Sequence, residues 1–137
     1  MRPSPIRVVR QRHNWDCGVA CLAMILDKEY GDVMVTTRAL YPTIPRRGLG
    51  IYHLEAIAAK FQRTFRRTYK SRGYLNSRPT GILGVLGGHI IDEGHWVVMK
   101  EGVIIEPWHE KRSIYGLAEY LQMNKCRTAT ILILEAK

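Results

Sequence analysis

The stretch Asp-Cys-Gly-Val-Ala-Cys-Leu-Ala-Met-Ile-Leu at residues 16–26 decides the fold. From Cys17 to Leu26 nearly every residue is apolar or small, so a helix in this place has no polar face. A helix that is apolar around its whole circumference is a buried helix. Asn14 or Asp16, just ahead of this run, is a suitable N-cap. The sequence therefore predicts a buried central helix over residues 17–26.

Two more helices are predicted in the N-terminal half. Asp32 can cap one that runs to about Leu40, after which Tyr41-Pro42 begins a loop. The other runs from about Ile51 to Phe61, because its apolar residues recur at the i, i+3, i+4 and i+7 positions of one helix face. Ahead of all three helices, residues 6–11 form a short strand or an extended arm.

From Thr64 the pattern changes to short β-type runs. Strands are predicted at about 64–69, 82–86, 96–99, 103–105 and 128–134, with one more helix over 114–123. Helices followed by antiparallel strands indicate an α+β protein, in which a helical N-terminal half with the buried central helix packs on a C-terminal antiparallel sheet. No repeat or linker divides the 137 residues, so we expect a single domain over 1–137.

Composition excludes several classes of protein. With 46% hydrophobic and 24% charged residues, the chain is neither collagen-like nor disordered. No apolar run is long enough for a membrane span, and residues 1–4 open no signal peptide, so a cytoplasmic protein is expected. Three cysteines, an odd number, argue against a disulfide framework and for reduced thiols.

The net charge of +9 is concentrated in the middle of the chain. Residues 33–91 carry ten basic residues and one acidic residue, whereas the remainder carries eleven of each. Within residues 63–74, basic side chains alternate with aromatic ones, as on a platform for single-stranded nucleic acid. The simpler interpretation is a solvated strand face. A noncatalytic basic module that binds nucleic acid or an acidic protein is therefore the alternative function. Reversing Arg66 and Arg67 is predicted to alter the capture of a partner or a substrate without changing thiol reactivity.

Cys17 is the candidate nucleophile. It stands at the first turn of the predicted central helix, where free N–H groups and the helix dipole favour a thiolate. Gln11, six residues earlier, could turn back and place its amide N–H beside the backbone N–H of Cys17. Two such donors make an oxyanion hole. The alternative interpretation is that Cys17 is a packing residue, as most buried cysteines are.

His95 is the best-placed base for this thiol, since it opens a predicted strand. If Glu101-Gly102 is a two-residue hairpin turn, the numbers of any two facing residues add up to 203. Glu106 then lies diagonally across from His95, on the same face of the hairpin. The carboxylate of Glu106 then orients the imidazole. A three-residue loop with a bulge would shift the sum to 202 and turn Glu106 to the other face.

A metal site is not expected. Cys17 and Cys21 stand at i and i+4, but no second close ligand pair accompanies them and the spacing fits no zinc template. Cys21 is interpreted as a core residue. We therefore expect no metal and no cofactor.

Two blocks of sequence resemble the papain-like cysteine peptidases, and above all the double-glycine leader peptidases that process bacteriocin precursors. They are Gln-Arg-His-Asn-Trp-Asp-Cys-Gly-Val-Ala-Cys-Leu-Ala-Met at 11–24 and His-Trp-Val-Val-Met at 95–99 followed by Glu106-Pro107. In that family a Gln precedes Asp-Cys-Gly-x-Ala-Cys-Leu, and a His-aromatic-Val-Val strand is followed by Asp-Pro. Weaker similarity in 48–60 and 79–86 extends the resemblance over most of the chain.

The resemblance implies a papain-like fold and a thiol-dependent hydrolase that cleaves a peptide or protein substrate. The basic middle of the chain could recruit an acidic substrate to it. It makes Cys17 the nucleophile, His95 the general base and acid, Gln11 an oxyanion donor and Glu106 the residue that orients His95. The chain departs from the family in having Glu where Asp is usual, only eleven positions after His95. Either the longer Glu106 side chain compensates or Asp92 takes that role.

Overall fold

The computed structural model of the protein describes residues 6–44, 48–68, 79–87, 95–108 and 112–136. Within these ranges four helices and six strands follow one another. They are α1 (Cys17–Leu26), α2 (Tyr30–Leu40), α3 (Ile51–Lys60), β1 (Phe65–Thr68), β2 (Gly81–Leu86), β3 (His95–Lys100), β4 (Val103–Ile105), β5 (Ile114–Gly116), α4 (Leu117–Asn124) and β6 (Arg127–Leu134). The strands form one antiparallel sheet in the order β1-β6-β2-β3-β4-β5. The expected α+β class is confirmed.

Helix α1 is the centre of the molecule. All ten of its residues are buried, as its uniformly apolar sequence predicts. It packs against β3, β2, α2 and α3. The buried central helix and its bounds are thus confirmed.

Helices cover the sheet on both faces. Ile82, Val98 and Leu132 point into one core with α1, α2 and α3. Their neighbours in sequence point into a second core with α4, because successive side chains of a strand alternate between faces. The inner residues of α4 in this second core include the fully buried Tyr120. The molecule therefore has three layers, with α4 on the side opposite α1.

The β3–β4 hairpin has the symmetric register. Val98 faces Ile105 and Met99 faces Ile104, which gives the sum of 203. Both turn residues, Glu101 and Gly102, have positive φ (53° and 82°), as the two-residue hairpin turn requires. This register keeps His95 and Glu106 on one face.

Two local predictions are wrong. Residues 114–116 form β5 and not the start of the last helix, because Ile104 pairs with Tyr115 and buries it; Gly116 then occupies the N-cap of α4. Helix α2 begins at Tyr30 with Glu29 at its N-cap, so Asp32 lies within the first turn. Of the two alternatives expected for residues 6–11, the structure has the extended arm, whose Gln11 N–H donates to the Pro107 carbonyl at 2.8 Å.

Candidate active site

Cys17 is the first residue of α1 and is 8% exposed. Its side chain is hydrogen bonded to His95, which joins the helix terminus to the first residue of β3. Gly18 lets α1 approach its neighbours closely, because a Cβ there would lie only 2.9 Å from Leu54 Cδ2. The geometry brings together the predicted nucleophile and the predicted base.

His95 stands between Cys17 and Glu106. Its Nε2 lies 2.6 Å from Glu106 Oε2, which leaves Nδ1 as the ring nitrogen available to Cys17. Burial alone lowers the pKa of His95, but the hydrogen bonds with Cys17 and Glu106, and the negative charges of both, raise it to about 10. An imidazole with its pKa raised in this way carries a proton at neutral pH.

Glu106 follows β4 and is 1% exposed. Besides His95, it accepts the backbone N–H of Trp108 on Oε2 at 3.1 Å and the hydroxyl of Tyr120 on Oε1 at 2.7 Å. Burial by itself raises the pKa of Glu106, and these three donors reverse that effect, so the pKa lies below its ordinary value. Glu106 is therefore a buried carboxylate that is held as an anion beside the imidazole.

Tyr120 is a contact that the sequence reasoning missed. It lies on α4 and is fully buried, and burial together with the neighbouring Glu106 raises its pKa, so its hydroxyl stays protonated and donates. The helical spacing of Leu117, Tyr120, Leu121 and Asn124 is a signal that could have placed the ring on the sheet-facing side of that helix. Nothing in the sequence specifies Glu106 as its acceptor.

Gln11 is buried near the turn into α1, at 2% exposure. Its side-chain Nε2 donates to the His13 carbonyl at 2.6 Å, and its Oε1 has no hydrogen-bond partner among the described residues. The amide carries two N–H groups, so the bond to His13 leaves a second one free for another acceptor. The described contacts do not join Gln11 to Cys17, and its oxyanion role stays a prediction.

Asp16 occupies the N-cap position of α1, but its side chain does not cap the helix. The carboxylate turns back instead and accepts the N–H groups of Arg12 and His13, each at 2.9 Å, and the hydroxyl of Tyr30 at 2.5 Å. Asp16 is completely buried. It therefore fixes the turn before Cys17, and with it the His13 carbonyl that holds Gln11.

The remaining predicted residues are Asp92 and the basic stretch. Asp92 and most of the basic stretch, residues 69–78, fall outside the described residues. Arg67 makes two hydrogen bonds with Glu55 and lies over the Tyr52 ring at 4.5 Å. Reversal of Arg67 would therefore break an internal contact, so it is unsuitable as a test of partner capture alone.

Cys21 behaves as a core residue. Its burial raises the pKa of its thiol well above the ordinary value. Cys17, Cys21 and Cys126 form no disulfide bond in the part of the chain that the structure describes. Among the described residues, no three His, Cys, Asp or Glu side chains are grouped so as to hold a metal ion.

In that same part of the chain, none of the helices combines the length and the apolar character that crossing a membrane needs.

Comparison with known proteins identifies relatives in sequence and in structure. The sequence pattern of the Peptidase C39 family matches residues 5–115. A double-glycine motif protease from an AMS/PCAT transporter, solved with its leader peptide, has a TM-score of 0.69 at 18% identity, over 97% of this chain and 93% of its own. The peptidase domain of Streptococcus ComA, a bifunctional ABC transporter of a quorum-sensing pathway, has a TM-score of 0.71 at 18% identity, over 97% of this chain and 100% of its own. Comparison with the curated proteins gives no match.

Proposed function

Because the chain belongs to the Peptidase C39 family, we propose that it is a cysteine peptidase that cleaves a peptide or protein substrate through Cys17, His95, Glu106 and Gln11. The observation that carries this proposal is the hydrogen-bonded series from Cys17 through His95 to Glu106. A nucleophile, a base and a group that orients the base are the three parts that a thiol-dependent acyl transfer needs.

In the first half of the reaction, the Cys17 thiolate attacks the carbonyl carbon of the scissile amide, and the electron pair of the C=O bond moves to oxygen. The backbone N–H of Cys17 and the second Nε2–H of Gln11 stabilise that oxyanion. As the C–N bond breaks, His95 gives its proton to the leaving amine. The products are a free amine and a thioester on Cys17.

In the second half, neutral His95 takes a proton from a water molecule, whose oxygen attacks the thioester. The C–S bond breaks, the acid product leaves, and Cys17 returns as a thiolate beside the imidazolium. Glu106 keeps the same ring nitrogen of His95, Nδ1, directed toward Cys17 in both halves of the reaction. Its negative charge also stabilises the protonated ring each time it forms.

A peptide substrate is supported by one solved relative, a double-glycine motif protease in complex with a leader peptide. The excess of basic residues in 33–91 favours a substrate with acidic side chains. Cys17, Cys21 and Cys126 form no disulfide bond within the described ranges, which suits the reducing cytoplasm. We assign the activity to one domain spanning 1–137. The basic binding module gains no specific support, because Arg67 is engaged with Glu55.

Alkylation by iodoacetamide at pH 6 tests the site. An ordinary thiol with a pKa of about 8.5 is only about 0.3% ionised at that pH, so a thiolate stabilised by His95 should react about 100-fold faster. Mass spectrometry of the peptide that contains Cys17 and Cys21 assigns the label to one of them. We expect fast labelling of Cys17 in the wild type and about 100-fold slower labelling in His95→Ala.

The matched control is His53→Ala, which removes a histidine of α3 whose Nδ1 accepts the Gly50 N–H at 2.9 Å. It should label like the wild type. Peptidase activity is then read from new N-termini in cells that express the wild type, compared with Cys17→Ala. Equal labelling of Cys17 in wild type and His95→Ala, or identical N-termini with and without Cys17, would refute the proposal.

A further inference from the structure

We propose that Tyr120 is a positioning residue of this site, and that its hydroxyl fixes Glu106 in the orientation in which that carboxylate holds His95. The inference rests on the proposed function and adds to it a residue that lies outside the matched range 5–115. It also lies outside both blocks of sequence that carry the resemblance. The residue belongs to a helix on the opposite side of the sheet from α1.

The two oxygens of Glu106 have different partners. Oε2 is shared by His95 Nε2 at 2.6 Å and the Trp108 N–H at 3.1 Å. Oε1 accepts the Tyr120 hydroxyl at 2.7 Å. Tyr120 therefore holds the end of the carboxylate that His95 leaves free, and it sets the rotation of the carboxylate about its last torsion.

The length of the glutamate side chain explains why such a holder is needed. Glutamate has one more rotatable bond than aspartate, so a buried glutamate has more orientations to lose when it is fixed against an imidazole. In this chain Glu106 stands where the resemblance leads one to expect aspartate. A hydrogen bond on Oε1 removes the extra freedom, and a donor to a carboxylate also favours its charged form.

Tyr120 is itself held rigidly enough to do this. Its ring is fully buried and meets the Tyr115 ring edge-on, with centroids 5.3 Å apart. Its backbone carbonyl accepts the side-chain amide of Asn124 at 3.0 Å. The preceding residue, Glu119, accepts the N–H of Gly116, the N-cap of the helix, on its Oε1 at 3.3 Å. The hydroxyl is thus carried by a packed side chain on a helix that is anchored at its start.

The direct test is Tyr120→Phe, which removes one oxygen and keeps the ring. Without the donor, Glu106 is freer to turn away from His95 and its anion is less favoured. We expect the rate of Cys17 alkylation by iodoacetamide at pH 6 to fall about threefold to tenfold, as for partial loss of a hydrogen bond to a charged group. The His95 pKa, followed by NMR, should fall in the same variant.

The matched control is Tyr115→Phe, since that ring belongs to the same core cluster and the same chemical change is made. It should leave both the alkylation rate and the His95 titration at their wild-type values. A loss of stability in Tyr120→Phe, with the alkylation rate and the His95 titration unchanged, would mean that Tyr120 only packs, and the inference would be overturned.

A double-mutant cycle covers the case in which Tyr120→Phe also loosens the fold. In Glu106→Asp the carboxylate is drawn back by one methylene and out of reach of the hydroxyl, so adding Tyr120→Phe should lower the alkylation rate no further. Independent effects would contradict the inference. If wild-type Cys17 is no more reactive than in His95→Ala, the proposed function itself fails; if it is more reactive and Tyr120→Phe matches the wild type, only the role of Tyr120 fails.

Discussion

Two buried carboxylates flank the candidate nucleophile, and they have the same number of partners but different kinds. Asp16 accepts two backbone N–H groups and the Tyr30 hydroxyl. Glu106 accepts one backbone N–H group, the Tyr120 hydroxyl and a ring nitrogen of His95. Each is 0–1% exposed, so neither can exchange a lost partner for bulk water. Each anion thus has one tyrosine from a neighbouring helix as a donor.

The two carboxylates differ in whether their hydrogen-bond partners can adapt when the carboxylate is replaced by another group. A backbone N–H can only donate, whereas an imidazole nitrogen donates or accepts according to its tautomer and a hydroxyl can rotate to do either. Asp16 is surrounded mainly by fixed donors, and Glu106 mainly by adaptable ones. The first arrangement suits a structural anchor for the turn before Cys17. The second suits a group whose neighbour gains and loses a proton.

The largest effect is expected for Asp16→Asn and concerns stability. An amide supplies one acceptor oxygen in place of two, so its NH₂ group would face a backbone N–H of Arg12 or His13, leaving that donor buried and unsatisfied. Such a group costs about 1–3 kcal/mol. We expect the free energy of unfolding in urea to fall by about 2 kcal/mol or more. The control is Asp32→Asn in the first turn of α2, which should change it by less than about 0.5 kcal/mol.

The next effect is expected for Glu106→Gln and concerns chemistry. Its partners His95 and Tyr120 can each turn to accept from the new NH₂ group, so the loss of stability should be smaller than for Asp16→Asn. The negative charge that holds the proton on His95 is gone, however. We expect about tenfold slower alkylation of Cys17 at pH 6, and a His95 pKa below the wild-type value of about 10.

The sign of that pH effect follows from the protonation state. Glu106 raises the pKa of His95, so its removal makes the ring lose its proton at lower pH. An NMR titration of His95 measures this directly. Two results would contradict the distinction between a structural Asp16 and a catalytic-site Glu106. One is that Asp16→Asn lowers the His95 pKa as much as Glu106→Gln does, and the other is that Glu106→Gln is the less stable variant.

Much of this arrangement could be predicted from the sequence, because it depends on local patterns. The apolar run of residues 17–26 predicts the buried helix with its bounds. Glu101-Gly102 predicts a two-residue turn, whose register is one of the two that the sequence leaves open and is the one that the structure has. That register is what brings His95 and Glu106 together, as the spacing predicts. Each of these features is decided within a few residues, either by helix burial or by the fixed twist of a two-residue turn.

What could not be predicted depends on distant parts of the chain. Asp16 has the residue type and position of an N-cap, and only the packing of Tyr30 against it shows where its carboxylate turns. Tyr120 contacts Glu106 across fourteen positions and from a different layer of the fold. Residues 114–116 are predicted as the start of a helix, because their pairing with β4 cannot be read from the residues 114–116 themselves. Tertiary contacts override local propensity at all three places.

The smallest effect is expected for Tyr30→Phe, and it distinguishes the role of Tyr30 from that of Tyr120. Tyr30→Phe removes the hydroxyl donor to Asp16 but keeps the ring that lies 4.2 Å beneath the Arg12 guanidinium. Asp16 still has two backbone donors, so we expect the free energy of unfolding to fall by about 1 kcal/mol and the alkylation rate of Cys17 to change less than twofold. Tyr120→Phe should show the reverse balance, with the larger change in rate. If both variants changed stability and rate in the same proportion, the two carboxylates would share one role, because each tyrosine would then act on Cys17 only through the packing of the fold.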